Sequence, residues 1–464
     1  MPGFNSDRGS GYLLRSSIPP LANEYSLVFV GDSYTARGVF STVTDLEDAN
    51  EGFSYWAKQL SNNRFWSPPS YNFGVSGVLT SSMLVNQMPS ALGISPSVMV
   101  ILGGRNDAQT GVSALPDTTP GTTTYNLRQM YEQCATAGVA VIAVKILSTA
   151  AAEWPNTTYE LQAILTNRWI DQQALLRPNF YVVDCASVYD DASASTWQPK
   201  TGYVDSGDLT HPTLWGAYQI GNSVASVLNK LLADWRVSPR NPSDFFGTGP
   251  TGNTYGNVLV NTGWTGTAGS FSGTGASGTV GSGWQLNTAN AFGVGCTASK
   301  GTGPDGRISQ ILWIGNTGTT GTAGAVKLIS TAAGLVAGNF NAGDVIEASV
   351  DVVIGPTTNL NSVRLFMLTT ENGTSFTTGA GKASGLNLTG YALPTDGNTG
   401  GGSPANSPLS YTIYTPRRTL TAAPTVAQLN IWSEFPSPLT GPTPIGGTLT
   451  FYSPTIRKVP PASI

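Results

Sequence analysis

The stretch SLVFVGDSYTARG, residues 26–38, begins with an uninterrupted apolar run, Leu27 to Val30, and breaks at Gly31 into a polar turn carrying Ser33. A strand with one wet face alternates apolar and polar residues. A continuous apolar run marks a strand covered on both sides, the signature of a parallel sheet. Four more such runs follow, at YNFGV (71–75), SVMVILGG (97–104), VAVIAVKIL (139–147) and NFYVVDCA (179–186). Helical patterns separate them at 53–60, 81–92, 124–138 and 158–176, and a last one spans 214–235. Strands alternating with helices predict an α/β fold, a parallel sheet between two helical layers, with its sites at the carboxyl ends of the strands.

Beyond Trp235 the texture changes. Residues 237–256 are rich in Pro, Gly and Asn and read as a linker. In 343–355 the period is two, with Ile346, Ala348, Val350, Val352 and Ile354 on one face. Similar short strands at 362–370, 427–435 and 447–459 predict an antiparallel β-sandwich of jelly-roll type. The Gly/Thr/Ser stretch 263–284 reads as long loops. The organisation expected is a catalytic domain over 1–236 with an N-terminal extension at 1–23, the linker, and a β-sandwich over 257–464.

Composition excludes several classes. The 464 residues carry 23 Lys and Arg against 27 Asp and Glu, for a net charge of −4, so no basic footprint for nucleic acid is present. One histidine and three scattered cysteines cannot make a Cys/His zinc site, and no metal or cofactor is expected. Cys134 and Cys185 sit in apolar surroundings and read as buried thiols. No run approaches 18 apolar residues, so no membrane span is expected, and the first residues lack the apolar core of a signal peptide.

The chemistry gathers at the predicted strand ends. Ser33 ends the first strand. The second runs into YNFGVSG, where Gly77 can bring its N–H to a substrate oxygen with no Cβ in the way. The third ends in VILGGRND, placing the Asn106 amide at the same rim as a donor to developing negative charge. After the fifth comes SGDLTHPTLWG (206–216), with Asp208 and the lone histidine, His211. Ser33 needs a base with a pKa near the working pH, and Asp208 can fix the imidazole tautomer from the same turn. Asp32 and Asp107 read as local hydrogen-bonding residues that shape their turns.

Taken in order, GDS (31–33), GVSG (74–77), GRND (104–107) and DLTH (208–211) resemble the four blocks of the SGNH (GDSL) hydrolase family. The resemblance implies a flavodoxin-like three-layer α/β/α sandwich and metal-free ester hydrolysis. It implies Ser33 as nucleophile, His211 as base and Asp208 as its partner. The Ser33 N–H, the Gly77 N–H and Asn106 would form the oxyanion hole. Each residue also has a plainer reading: a helix cap for Ser33, a turn for Gly77, a loop cap for Asn106. No G-x-S-x-G elbow is present, which argues against the α/β-hydrolase fold, and none of the G-x-G-x-x-G matches at 247–252, 273–278 and 301–306 both follows a strand and opens a helix, so they read as glycine-rich loops.

For the β half, Trp264, Trp284, Trp313, Trp432 and Tyr452 read either as a sugar-stacking platform or as core. The pairing of such a catalytic domain with a β-module is similar to carbohydrate esterases, and the texture is similar to bacteriophage tail proteins. The expectation is therefore a serine esterase removing acetyl groups from an acetylated glycan or polysaccharide, extracellular or virion-associated, with a cytoplasmic setting left open. Trimerisation through the β half goes with it. The alternatives are a lipid esterase or thioesterase, whose apolar groove Leu84, Leu214 and Trp215 would line, and a non-catalytic tail adhesin on a hydrolase scaffold.

Overall fold

The structure, a computed structural model, describes residues 25–41, 45–152, 154–155, 157–232, 255–289, 293–316, 324–382, 408–435 and 445–459. The N-terminal extension 1–23 and all but the last two residues of the expected linker lie outside the described residues. The chain divides into two compact units, and the segment Phe40–Asn50 belongs to the second although it lies early in the sequence.

The first unit is built on a parallel sheet of four strands in chain order: β1 (Leu27–Gly31), β2 (Val98–Leu102), β3 (Ala140–Val144) and β4 (Phe180–Val183). Successive residues of β1 point to opposite faces, and both faces are dry. Leu27 and Phe29 join a cluster with Phe53, Ile220, Val224 and Leu228. Val28 and Val30 join another with Leu127, Met130, Trp169 and Ile170. The helices supplying these residues are α2 (Phe53–Leu60), α4 (Thr123–Ala137), α5 (Thr158–Leu176) and α6 (Leu214–Leu231), with the short α3 (Arg105–Gln109) between the first two in the chain. The order is helix layer, sheet, helix layer, as the continuous apolar runs predict.

One expected strand is absent. Residues 71–75 do not form a ladder; Pro69–Tyr71 make a 3-10 turn, and a single bridge joins Asn72 to Phe29. The segment nonetheless follows the free edge of β1. Leu27 donates to the Trp66 carbonyl at 2.9 Å, Phe73 donates to Phe29 at 2.8 Å, and Val75 donates to Gly31 at 3.0 Å. Pro68 and Pro69, which have no N–H to give, interrupt what the apolar pattern would otherwise pair. The expected helix at 81–92 also has a defect: Met83–Gln87 is π-helical, immediately ahead of Pro89.

The second unit holds two sheets of mostly antiparallel strands. One has Val345–Thr358, Gly446–Lys458, Ile308–Asn316 and Val294–Thr302 at its centre. The other has Thr374–Lys382, Ser362–Glu371, Pro424–Glu434 and Ala325–Ser330. Ile346, Ala348, Val350, Val352 and Ile354 are all at most 1% exposed, as their alternation requires. The stretch 263–284 is not loop throughout, since Ser270–Ser272 and Ala276–Gly278 are short strands. Nor do the five aromatics form a platform. Trp264 and Trp284 are fully buried with rings 4.4 Å apart, and Trp432 packs edge-on to Phe366 beneath the Lys327 ammonium. Tyr452 lies half-buried under Arg307. Only Trp313 of the five is largely exposed, at 55%.

A strand the sequence reading did not foresee, Asp45–Ala49, pairs in parallel with Thr374–Lys382 in this unit. Glu47 within it is fully buried and bidentate to Arg364, with both contacts at 2.6 Å, and Lys382 adds a third at 3.2 Å. The residue opposite Glu47 in the ladder is Gly379, where a Cβ would meet the Glu47 carboxylate at 2.7 Å. The glycine therefore leaves room for the carboxylate.

Candidate active site

β1 ends at Gly31, and the chain turns at once into a single helical turn, α1 (Ser33–Ala36). Asp32 caps it, accepting the Tyr34 N–H at 3.0 Å. Two glycines let this turn sit close to its surroundings. A Cβ on Gly74 would lie 2.3 Å from the Ala36 nitrogen, and one on Gly31 would lie 2.5 Å from the Leu102 carbonyl. Gln87 completes the rim, its side-chain amide giving to the Gly31 carbonyl at 3.0 Å and taking the Gly31 N–H at 3.1 Å.

The loop carrying the histidine is fixed at several points. Thr149 Oγ1 and the Ala150 N–H both donate to the Leu209 carbonyl, at 2.7 and 3.0 Å. Leu209 takes a left-handed conformation at φ 55°. The Asp205 N–H donates to the His211 carbonyl at 2.8 Å, and Thr213 caps α6 by accepting the Gly216 N–H. The imidazole is thus anchored by backbone on both sides.

These constraints bring Ser33, His211 and Asp208 into a line. His211 Nε2 is 2.8 Å from Ser33 Oγ, and His211 Nδ1 is 2.6 Å from Asp208 Oδ2. Asp208 Oδ1 accepts the backbone N–H groups of Thr210 and His211, at 2.9 and 2.8 Å. Partial burial would raise the Asp208 carboxyl, but these donors and the imidazole together hold it below its usual range. His211 is pushed below 6.5, first by burial and then by the Arg37 charge, against the pull of Asp208. At neutral pH the ring is therefore unprotonated, the state in which Nε2 can accept a proton.

The three expected oxyanion donors are placed as follows. The Ser33 and Gly77 N–H groups have no acceptor among the described residues. Gly77 is exposed with φ 76°, a conformation that disfavours any side chain. The Asn106 amide donates to the Val78 carbonyl at 2.9 Å, which ties it beside Gly77 and leaves its second N–H to give. With only one turn in α1, Ser33 offers its own N–H rather than a long helix dipole.

Asp32 and Asp107 stay out of this line. Burial pushes Asp32 up to about 6, against the Tyr34 N–H and Arg105, and its carboxylate is spent on the cap. Asp107 accepts the Thr80 N–H at 2.9 Å and the Thr80 hydroxyl. Burial raises all three thiols to about 12. No group of three or more His, Cys, Asp or Glu among the described residues is arranged to hold a metal. No described helix is long and apolar enough to cross a membrane.

Sequence reasoning missed four contributors. Tyr34 donates from its hydroxyl to the Thr210 carbonyl and lays its ring 5.7 Å from the imidazole. Arg37 reaches Asp208. Arg105, 4% exposed, donates to Thr210 Oγ1 at 3.3 Å and stacks on Trp154. Gln87 holds the rim. Tyr34, Arg37 and Arg105 stand in or directly beside the GDS and GRND blocks, but nothing in their spacing distinguishes them from solvated residues.

Residues 29–218 match the model of the GDSL-like Lipase/Acylhydrolase family, a span that includes all four blocks. No curated protein matches the chain. Among solved structures, the chain is similar to a GDSL-like lipase from Bacteroides thetaiotaomicron at 19% identity, covering 47% of this chain and 93% of that one with a TM-score of 0.33. It is similar to a family 3 carbohydrate esterase from Clostridium thermocellum at 16% identity, covering 45% and 96%, TM-score 0.32. An acetyl xylan esterase matches at 13% identity over 44% and 99%, TM-score 0.32. The matched span thus falls in the first half of the chain, over the parallel sheet and its helices, and ends before residue 219.

Proposed function

We propose that this chain is a serine esterase that removes acetyl or other short acyl groups from a carbohydrate. The observation that carries the reading is the line from Ser33 Oγ to His211 Nε2 to Asp208, at 2.8 and 2.6 Å. In the proposed reaction Ser33 Oγ attacks the ester carbonyl as its proton passes to His211 Nε2. Nδ1–H stays on the ring, held by Asp208, whose charge stabilises the imidazolium. Negative charge on the carbonyl oxygen meets the Ser33 and Gly77 N–H groups and the Asn106 amide. Collapse of the tetrahedral intermediate expels the sugar hydroxyl, which takes the proton from His211 and leaves an acyl-Ser33 ester. Water, deprotonated by His211, then attacks that ester, and the carboxylic acid departs as Ser33 regains its proton.

A short acyl group is favoured over a long lipid chain because the residues that would line a lipid groove are used elsewhere. Leu214 and Trp215 are 1% and 8% exposed and packed in the core, Trp215 stacked on Tyr218. Val75 and Leu209, within the GVSG and DLTH blocks, are exposed at 49% and 39% and offer apolar surface to a short acyl group. The test is hydrolysis of p-nitrophenyl acetate, butyrate and octanoate, followed by acetate release from acetylated polysaccharides. Activity strongest on acetate, with free acetate from a glycan, supports the reading. A preference for octanoate assigns a lipid esterase instead, and no turnover of any ester overturns it.

A further inference from the structure

The nucleophile's turn grips the histidine loop at three points: Ser33 on His211, Tyr34 on the Thr210 carbonyl and Arg37 on Asp208. Arg37 is the residue that ends α1, its own N–H given to the Ser33 carbonyl at 3.2 Å. Its guanidinium lies 3.3 Å from Asp208 Oδ2, the same oxygen that takes Nδ1–H of the imidazole. The other oxygen, Oδ1, is engaged by two backbone N–H groups. Any charge Asp208 lends the imidazole is therefore shared with a cation borne on the nucleophile's own turn.

We propose that Arg37 is a positioning residue, tying the acidic member of the line to the nucleophile's turn and limiting how readily His211 takes a proton. The inference rests on the reading of Ser33, His211 and Asp208 given above. Its physics is competition at one carboxylate oxygen. A guanidinium beside Oδ2 withdraws part of the field that would stabilise an imidazolium, so the base stays neutral to lower pH. The side chains of Arg37 and Asp208 are 21% and 38% exposed, so solvent screens the effect without cancelling it.

The charged and titratable groups facing His211 are few. Asp208 from its own loop favours the proton, while Arg37 from α1 and Arg105 from Arg105–Gln109 oppose it, and the Tyr34 phenol lies alongside. Arg105 has no contact with Asp208; it bonds Gln109, Thr149 and Thr210. Arg37 is thus the cation that acts through the carboxylate.

His211 is the chain's only histidine, so in tag-free protein its Cε1–H resonance titrates without assignment. The experiment follows that resonance against pH in the wild type, Arg37→Gln and Arg37→Lys, alongside kcat/KM for p-nitrophenyl acetate over the same range. With the cation gone, Asp208 Oδ2 serves the imidazole undivided, and Arg105 is the opposing charge that remains. The Arg37→Gln midpoint should then rise by about half to one pH unit, with the acid limb of kcat/KM moving up in step. Arg37→Lys, which keeps the charge, should stay near the wild type. An unchanged or lowered midpoint in Arg37→Gln overturns the inference, as does a Lys variant that moves as far as the Gln variant. A raised midpoint in protein that hydrolyses no ester would uphold Arg37's hold on the imidazole while removing the esterase reading, so the two failures are distinct.

Discussion

Replacing His211 by alanine should lower kcat/KM on p-nitrophenyl acetate by roughly 10⁴–10⁶-fold, leaving a residue of activity from the oxyanion donors alone. The size of the loss follows from the site having one base. With a single histidine, and with Asp32 and Asp107 committed to backbone donors, no second base among the described residues is bonded to Ser33 Oγ to take its proton. Ser33→Ala should fall to the same floor, and the double variant should fall no further, because the two residues act as one unit. Steady-state kinetics on the four proteins checks this. Additive losses in the double variant would mean that His211 and Ser33 do not act on the same proton.

The second large effect belongs to the second unit. Glu47→Ala should destabilise the second unit by about 3–5 kcal/mol, because it leaves the Arg364 guanidinium buried without its bidentate partner. Gly379 has no side chain to close the gap left opposite. Adding Arg364→Met to the Glu47→Ala background should return most of the loss, since an apolar side chain among Phe366 and Trp432 replaces a buried guanidinium left with the Glu434 contact at 3.6 Å. Urea unfolding followed by tryptophan fluorescence reads both. A double variant as unstable as the single one would show that the loss comes from packing and not from the cation's lost bidentate partner.

What could be read from the sequence follows from how local each feature is. β1 to β4 announce themselves because strands buried on both faces must be apolar throughout, and His211 stands out because it is alone. The strand Asp45–Ala49 is illegible for the opposite reason. Its residues are mostly acidic, and it becomes a strand by pairing with a segment more than 300 positions later. Glu47 in the sequence looks like a solvated surface charge, and only Arg364 makes it a buried one. The segment 71–75 fails in the other direction, with an apolar pattern that two prolines just upstream keep from pairing. Arg37 and Tyr34 lie beside the serine in plain view, yet their partners Asp208 and Thr210 are over 170 positions away.

The proposed chemistry stands on Ser33 being a nucleophile activated by His211. A fluorophosphonate probe followed by peptide mass spectrometry reads this out, because the probe bonds only to a serine made reactive by its surroundings. One phosphonylated residue, Ser33, is expected in the wild type, with labelling lost in Ser33→Ala and strongly slowed in His211→Ala. Labelling at another serine, or equal labelling with and without His211, would contradict it.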